Sequence, residues 1–332
     1  MNRLGIPTST GRALAAWPVL LALLAAALVP TGCVLWFMNA AMRNQQLAMR
    51  QQLSEAYEPS VLAMRQQIDS YWAAKRHALD ASEEHPAPIA AEQLVKAGVI
   101  DSAVIHDSQG ALAFPVPAKP VPFDGDGIED ILGEAQWLET NGRYQLAAAR
   151  YQQIANTISV VDHRVRALHA AARCLAQAGD KPAAIDLLAR AVTTDRYGEA
   201  RNESGRLIAP AALLHALQLI TPRQSEKWNR TLQELVRRVQ AYDGPFMPSS
   251  QRILLMKELQ SLAGVSSPML AAEELAARYV EIDPPPRAAV GLQRSKDAEI
   301  WTLASSSGRT IGLLRDATVR AILDSLRAKI TP

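Results

Sequence analysis

The chain has 332 residues, of which 20% are charged and 5% are aromatic, and its formal net charge is +2. A net charge this small, without any cluster of lysines and arginines, excludes a nucleic-acid-binding surface of the usual basic kind. Alanine and leucine are abundant beside few aromatic residues, which predicts a mostly helical protein.

The first predicted element is a single transmembrane helix. Residues from Ala13 to Met42 carry no charge, and an arginine bounds the stretch on each side. About 20 apolar residues are enough to cross a bilayer as a helix, and no comparable stretch follows. We therefore predict an anchor over residues 13–38. The preceding tail, residues 1–12, is assigned to the cytoplasm because it is short and has no acidic residue.

Two alternatives to an uncleaved anchor stay open. Pro30-Thr-Gly-Cys33 resembles a lipoprotein cleavage site, although a proline stands where an aliphatic residue is usual and the residues after Cys33 are apolar. A cleaved signal peptide is the second alternative, although the apolar stretch is longer than the usual signal core and continues into Trp36 and Phe37. These departures favour the anchor.

A membrane-proximal helix is predicted over residues 39–82. The segment Leu47-Ala-Met-Arg-Gln-Gln-Leu53 recurs as Leu62-Ala-Met-Arg-Gln-Gln-Ile68, and Pro59 is expected to bend or interrupt the helix between the copies. Apolar residues recur along it at a spacing of three or four: Leu53, Tyr57, Val61, Met64, Ile68 and Trp72. This stripe indicates either a spacer that packs on the next domain or a signalling helix that forms a homodimer.

Two distant β-hairpins are predicted on either side of the helical region. One lies within residues 83–122, before a proline-rich connector, and the other within residues 283–332, before a last helix. Their strands flank turns at Asp107–Gly110 and Ser305–Arg309. Because an isolated hairpin is marginally stable in water, we predict that the two pair into one sheet. The result is a small α+β element, with the helices between the hairpins as an insertion.

Residues 123–282 are predicted to form an array of helical hairpins. Two copies of a helix–turn–helix pattern surround Gly142 and Gly179, which lie 37 residues apart, and each glycine is expected to end the first helix of its pair. The pattern resembles the tetratricopeptide family, whose period is about 34 residues. The connection between the copies is longer than in that family, and no proline closes the repeat. Two repeats are too few to stand alone, so the following helices must complete the stack.

A binding groove is predicted on this array. If the hairpins stack as tetratricopeptides do, the first helix of each pair lines a concave surface. Six polar residues on these helices are the candidate site: Gln136, Glu139, Arg166, His169, Arg173 and Gln177. The last four share one helix face, and two arginines with a histidine suit an acidic peptide end or a small anion. An ordinary solvated helix face explains the same pattern.

No catalytic or metal-binding motif is found in the sequence. It lacks a His-Glu-x-x-His pair, a nucleophile elbow, a phosphate-binding loop and the kinase signature set. Cys33 lies in the apolar stretch and Cys174 in a predicted helix, which makes a disulfide between them implausible. We therefore predict no catalytic residue, no metal, no cofactor and no enzymatic activity for this chain.

The order of the predicted elements resembles a known layout. Ala103–Pro115 and Ile300–Arg315 are similar to the strand–turn–strand elements of PAS-like and Cache-like sensor domains, and the whole resembles the extracytoplasmic sensory region of bacterial membrane histidine kinases. The resemblance implies a single-pass protein of the bacterial inner membrane that binds an unknown small ligand in two-component signalling.

The resemblance also has a clear departure. Such a kinase continues with a second membrane helix, a phosphorylated histidine and an ATP-binding domain, whereas this sequence stops at Pro332. Either the chain is the sensory part of something longer, or it is a single-pass protein with another role. The alternative function is an envelope scaffold or co-receptor that binds a protein or peptide partner through the tetratricopeptide-like groove.

Overall fold

The computed structural model of the protein describes residues 13–120, 128–223, 225–282 and 291–328. These residues are mostly helical with one small antiparallel sheet, as predicted. The helices are α1 (Ala13–Ser82), α2 (Ala87–Lys96), α3 (Ile128–Thr140), α4 (Tyr144–Thr157), α5 (Val161–Gln177), α6 (Lys181–Leu187), α7 (Ile208–Leu219), α8 (Glu226–Gln240), α9 (Ser249–Ala263), α10 (Pro268–Ile282) and α11 (Asp316–Ala328). The strands are β1 (Ser102–His106), β2 (Leu112–Phe114), β3 (Leu292–Arg294), β4 (Ile300–Ala304) and β5 (Thr310–Arg315).

Helix α1 bears on the prediction that Pro59 bends or interrupts the membrane-proximal helix. α1 is a single helix of 70 residues that continues through Pro59, so the helix is not interrupted there, and a bend at Pro59 stays a prediction. A proline removes only one backbone hydrogen bond, and the rest of this long helix keeps its own.

The predicted membrane anchor gains no support from the structure. The tail over residues 1–12 lies outside the described residues, as do most side chains of the anchor over residues 13–38. In the part of the chain that was described, no helix combines enough length with enough apolarity to cross a membrane.

The chain divides into two compact units. One comprises Met1–Ile68 with Arg327–Pro332, and the other comprises Asp69–Leu326. We call the second the main unit; it holds the sheet, α2 to α10 and the last turns of α1. The predicted domain boundaries, after residues 12, 38, 82, 122 and 282, stay predictions.

The sheet joins the two predicted hairpins. Its strand order is β2-β1-β5-β4-β3, and all neighbouring strands are antiparallel. β1 pairs with β5 in a register that places Ala103 opposite Gly312. The pairing of the two distant hairpins is therefore confirmed. β3 was not predicted, because Leu292-Gln-Arg294 has one apolar residue followed by two polar ones and shows no apolar run.

The last turns of α1 pack against the middle of this sheet. Leu79 of α1 is fully buried, as is Leu313 of the central strand β5. A Cβ atom on Gly312 would lie 2.8 Å from Cγ2 of Ile100 and 3.4 Å from Cδ1 of Leu79. The glycine thus lets α1 and the start of β1 approach β5 closely.

The two predicted helical hairpins are present as α3/α4 and α5/α6. Gly142 and Gly179 have φ values of 72° and 89° at their turns, a left-handed conformation that glycine adopts without a Cβ clash. Alanines that are at most 2% exposed let the helices approach closely: Ala147, Ala148, Ala155, Ala167 and Ala171. After α6 a π-helical turn over Leu188–Val192 leads towards α7, which packs on α5 and continues the stack.

Candidate functional site

The six residues predicted to line the groove lie on α3 and α5, and an ion pair joins these two helices. Arg173 on α5 donates from Nε to Oε1 of Glu139 on α3 at 2.8 Å and from Nη2 to Oε2 at 3.0 Å. The hydroxyl of the buried Tyr151 on α4 donates to Oε2 of Glu139 at 3.0 Å. Two parallel hydrogen bonds are the strongest arrangement for a guanidinium and a carboxylate. The structure thus brings Glu139 and Arg173 together and uses them on each other.

The opposite charges of Glu139 and Arg173 balance each other, so this pair attracts a charged ligand only weakly. Burial raises the pKa of the Glu139 carboxyl, but the hydrogen bonds and charge of Arg173, with the Tyr151 hydroxyl, lower the pKa below its usual value. Burial and the neighbouring carboxylate raise the pKa of Tyr151, which stays a protonated donor. The positive charge of Arg173 is therefore balanced inside the protein.

A pair of histidines lies next along the groove. The rings of His169 on α5 and His215 on α7 meet edge to face, with their centroids 6.0 Å apart. Burial, together with the charges of His215 and Arg173, lowers the pKa of His169 to about 4. Burial and Arg173 also lower the pKa of His215. Near neutral pH the histidines are uncharged, so they offer a ligand ring surfaces and hydrogen bonds rather than charge.

The remaining predicted residues have separate surroundings. Nε of Arg166 donates to the backbone carbonyl of Arg201 at 2.9 Å, which ties α5 to the segment before α7. Gln136 and Gln177 are exposed. The structure therefore unites Glu139, Arg173 and His169, and it adds Tyr151 and His215, which the sequence pattern did not indicate. The groove as a binding site stays a prediction.

A second polar cluster, which the sequence pattern did not indicate, surrounds the turn between β4 and β5. We call this turn, residues 305–309, the serine turn. Its backbone N–H at Ser306 donates to Oδ1 of Asp80 at 2.6 Å, and the Ser306 hydroxyl donates to Oδ2 at 2.8 Å. Asp80 belongs to the last turns of α1. The hairpin turn thus binds a carboxylate of a helix that lies 226 residues earlier in the chain.

Glu83, the residue directly after α1, accepts more hydrogen bonds from the serine turn than Asp80 does. The hydroxyls of Ser305 and Ser307 each donate to Oε1 at 2.6 Å. Arg309 donates to Oε2 from Nη2 at 2.8 Å and from Nε at 3.2 Å. Burial raises the pKa of Glu83, but these hydrogen bonds and the charge of Arg309 lower it below its usual value. We call the contact of the serine turn with Asp80 and Glu83 the α1 clamp.

The sequence carries a signal for this clamp that is visible in hindsight. Three consecutive serines and an arginine in one hairpin turn form an unusually dense set of donors, and two acids three residues apart lie at and just after the end of α1. Nothing in either segment points to the other, however, because the partners are more than 220 residues apart.

Within the ranges that the structure describes, no group of three or more histidine, cysteine, aspartate or glutamate residues is placed to hold a metal ion. Comparison of the chain with protein-family models, curated proteins and solved structures finds no match.

Proposed function

We propose that this chain is an extracytoplasmic sensory module of the bacterial inner membrane, the sensor part of a two-component histidine kinase. The α1 clamp is the observation that carries the proposal. The sheet that unites both predicted sensory hairpins holds the end of α1 through six hydrogen bonds to Asp80 and Glu83. A ligand that binds two arrangements of the sheet unequally shifts the population of clamped α1, because differential affinity is what moves such an equilibrium.

The membrane part of the proposal is supported by an exposed apolar run. Val34, Leu35, Trp36, Phe37 and Met38 each leave 56–66% of their surface uncovered. Large apolar side chains in such a run are unfavourable in water and favourable in or beside a bilayer, where tryptophan also serves as an interfacial anchor. We expect the full chain to stay with membranes after an alkaline carbonate wash. Recovery in the washed supernatant overturns this part.

Hydrogen exchange tests the sensory part directly. A thermal-shift screen of small molecules on the full chain first identifies any compound that raises the melting temperature. Amide hydrogen exchange is then followed over residues 69–82. We expect such a compound to slow exchange there, and Arg309→Gln to speed it by opening the clamp. Arg294→Gln is the matched control, because Arg294 is an exposed arginine of the same sheet that donates to a backbone carbonyl in its own hairpin and lies over the ring of Trp301. The proposal fails if no compound stabilises the chain and Arg309→Gln leaves exchange unchanged.

The signalling output has its own test in the native transcript beyond the codon for Pro332. A reading frame that continues into a second apolar segment and a phosphoacceptor-histidine domain supports the kinase assignment. A stop codon at that point favours the scaffold or co-receptor instead.

The scaffold is the second candidate function, and exposed apolar residues on the first helical hairpin favour it. Trp137 on α3 and Leu146 on α4 are 56% and 57% exposed, whereas the outer faces of repeat arrays are usually polar. Chemical cross-linking in membranes followed by purification is expected to recover a protein partner in stoichiometric amount. The combined replacement of Arg166, His169 and Arg173 tests whether that partner uses the groove; unchanged binding removes the groove from the proposal.

The proposal includes a homodimer through the membrane-proximal helix. In the unit formed by Met1–Ile68 and Arg327–Pro332, several large side chains of α1 are more than half exposed: Leu47, Met49, Tyr57, Val61 and Leu62. A second copy of the helix would cover them. Tyr57→Cys in a Cys33→Ser background, which removes the exposed native thiol, is expected to form a disulfide-linked dimer in membranes. Monomer alone under oxidising conditions contradicts the dimer.

A further inference from the structure

A cavity of about 300 Å³ opens in the main unit beside the last turns of α1. We call it the Lys75 cavity. Side chains from α1, α2, α10, β5 and α11 line it, so five elements distant in sequence converge on one space. It lies apart from the groove on α3 and α5, and the α1 clamp is on a later turn of the same helix.

Lys75 supplies the first cation of this cavity. Its ammonium group donates to the backbone carbonyls of Val99 and, at 3.5 Å, of Gly98, just after α2. An ammonium group has three hydrogens, so two bonds to carbonyls leave one donor for a ligand. Burial lowers the pKa of Lys75, while the charge of Asp101 raises it. Desolvation of this kind is relieved when an anion arrives.

Arg315 at the end of β5 supplies the second cation. Its Nη2 donates to the carbonyl of Ala271 in the first turn of α10 at 3.2 Å, which leaves other guanidinium hydrogens for a ligand. Asp101, the acid that lines the cavity, already accepts the backbone N–H of Arg315 at 2.7 Å. Among the described residues neither Lys75 nor Arg315 forms an ion pair with a carboxylate. The cavity therefore carries two cations and one acid that is already hydrogen-bonded.

One side of the cavity is apolar. Ile100, Ala272 and Leu314 are at most 4% exposed and form its inner side, and Ile322 of α11 lies half-buried at another side. An apolar side together with a few placed polar groups suits a small-molecule site. Two cations and a space of this size suit one anionic group on a short apolar body, and they are too few for a polyphosphate.

We infer that the Lys75 cavity binds a small organic monoanion, a carboxylate with a short alkyl chain, between Lys75 of α1 and Arg315 of β5. The inference rests on the proposed sensory function and names its ligand class. A carboxylate accepts the free ammonium hydrogen and one edge of the guanidinium, and its alkyl chain covers the apolar wall. The bound anion joins α1 to β5 and thereby strengthens the contact that the α1 clamp makes from the opposite end of the strand.

Hexanoate is the probe for this inference. The full-length chain in detergent is titrated with hexanoate by saturation-transfer NMR, with hexylammonium and 1-hexanol as ligands of the same chain length and different charge. For so small a ligand we expect a Kd on the order of 1 mM. Lys75→Met and Arg315→Gln are each expected to weaken binding about tenfold, since each removes a charged hydrogen bond. Lys257→Met is the control, because Lys257 is an exposed lysine on α9, paired with Glu274.

The outcomes separate this inference from the proposed function. Binding of hexanoate alone, weakened by both cavity variants and unchanged by Lys257→Met, supports the inference. Equal binding to wild type and to both cavity variants overturns the assignment to this cavity. Equal binding of hexylammonium or hexanol overturns the anionic class, and failure of hexanoate to bind overturns the inference as a whole. In all these cases the sensory function is judged separately, by the ligand screen and by exchange over residues 69–82.

Discussion

The helix pair α4 and α5 and the helix pair α9 and α10 are held together in opposite ways. Between α4 and α5 the contact is apolar and rich in buried alanines, with Tyr151, Ile154 and Cys174 among them. Between α9 and α10 a buried ion pair joins the helices: Arg252 is 1% exposed and Glu273 is 0% exposed, with Nε and Oε1 3.5 Å apart.

The buried pair has further support around it. Arg252 donates to the backbone carbonyls of Val239 and, at 3.0 Å, of Ala241, and its guanidinium lies 3.9 Å from the centre of the Tyr242 ring. The Tyr242 hydroxyl donates to Glu273 at 3.0 Å. We call these residues the buried charge cluster. The comparison teaches that the stability of the alanine-rich contact between α4 and α5 depends on the space between the two helices. The stability of the buried charge cluster depends instead on each charge keeping its partner.

Removing one charge from the cluster is expected to have the largest effect. Arg252→Met should lower the free energy of unfolding by about 3–5 kcal/mol, because Glu273 is left buried without a cation. Urea denaturation followed by circular dichroism measures the change. The double variant Arg252→Met with Glu273→Leu is the control and should recover most of the loss, since an apolar pair needs no partner charge. A loss below about 1 kcal/mol in the single variant would show that the charges are not coupled as the geometry indicates.

Filling the space between α4 and α5 should have the next largest effect. Ala147→Leu adds three carbons to a fully buried position and should cost about 1–3 kcal/mol by overpacking. Ala149→Leu on the exposed face of the same helix is the matched control and should change stability by less than about 0.5 kcal/mol. The same denaturation experiment compares them. Equal effects of the two substitutions would contradict the idea that space limits this contact.

Acid sensitivity of the groove is expected to be smaller. His169 has a pKa of about 4 when folded and 6.5 as an ordinary histidine, so the unfolded chain binds its proton first as pH falls. Stability therefore decreases as pH falls from about 6.5 towards 4. His169→Gln should remove on the order of 2 kcal/mol of this acid destabilisation. His77→Gln, at an exposed position on α1, is the control. Parallel pH profiles for wild type and His169→Gln would rule the effect out.

The α1 clamp should give the smallest change in overall stability. Glu83→Gln weakens several charged hydrogen bonds and should cost about 1 kcal/mol at pH 7, whereas Glu84→Gln, an exposed neighbour, should cost nothing measurable. Because the folded pKa of Glu83 is lowered, its contribution is present above the ordinary glutamate pKa and disappears as pH falls through the folded value. The two variants should therefore converge with wild type in acid. A difference that persists at low pH would mean that the carboxylate charge is not what the serine turn recognises.

Local patterns made several elements of this protein predictable. α10 begins at Pro268 behind Ser267, whose hydroxyl accepts the backbone N–H of Met269, and α11 is the last helix predicted after the second hairpin. The two hairpins lie where their turn residues indicated, and both repeat glycines end their helices. Each of these features depends on residues within about four positions of one another, so periodicity and turn chemistry suffice.

The candidate sites were only partly predictable. The three-four spacing on α5 placed Arg173 and His169 on one face, but that spacing could not show that Glu139 neutralises the arginine or that His215 meets the histidine. Likewise, neither the serine turn nor the end of α1 indicates its partner, and the two cations of the Lys75 cavity come from α1 and β5.

By itself the sequence determined where helices, turns and strands form, because those choices depend on dihedral preferences and apolar periodicity over a few residues. Tertiary structure alone decided which charges are paired, which are buried and which face a cavity. Those outcomes depend on distances between segments up to 226 residues apart, and the free energy of a charge changes with burial and partner rather than with its sequence neighbours.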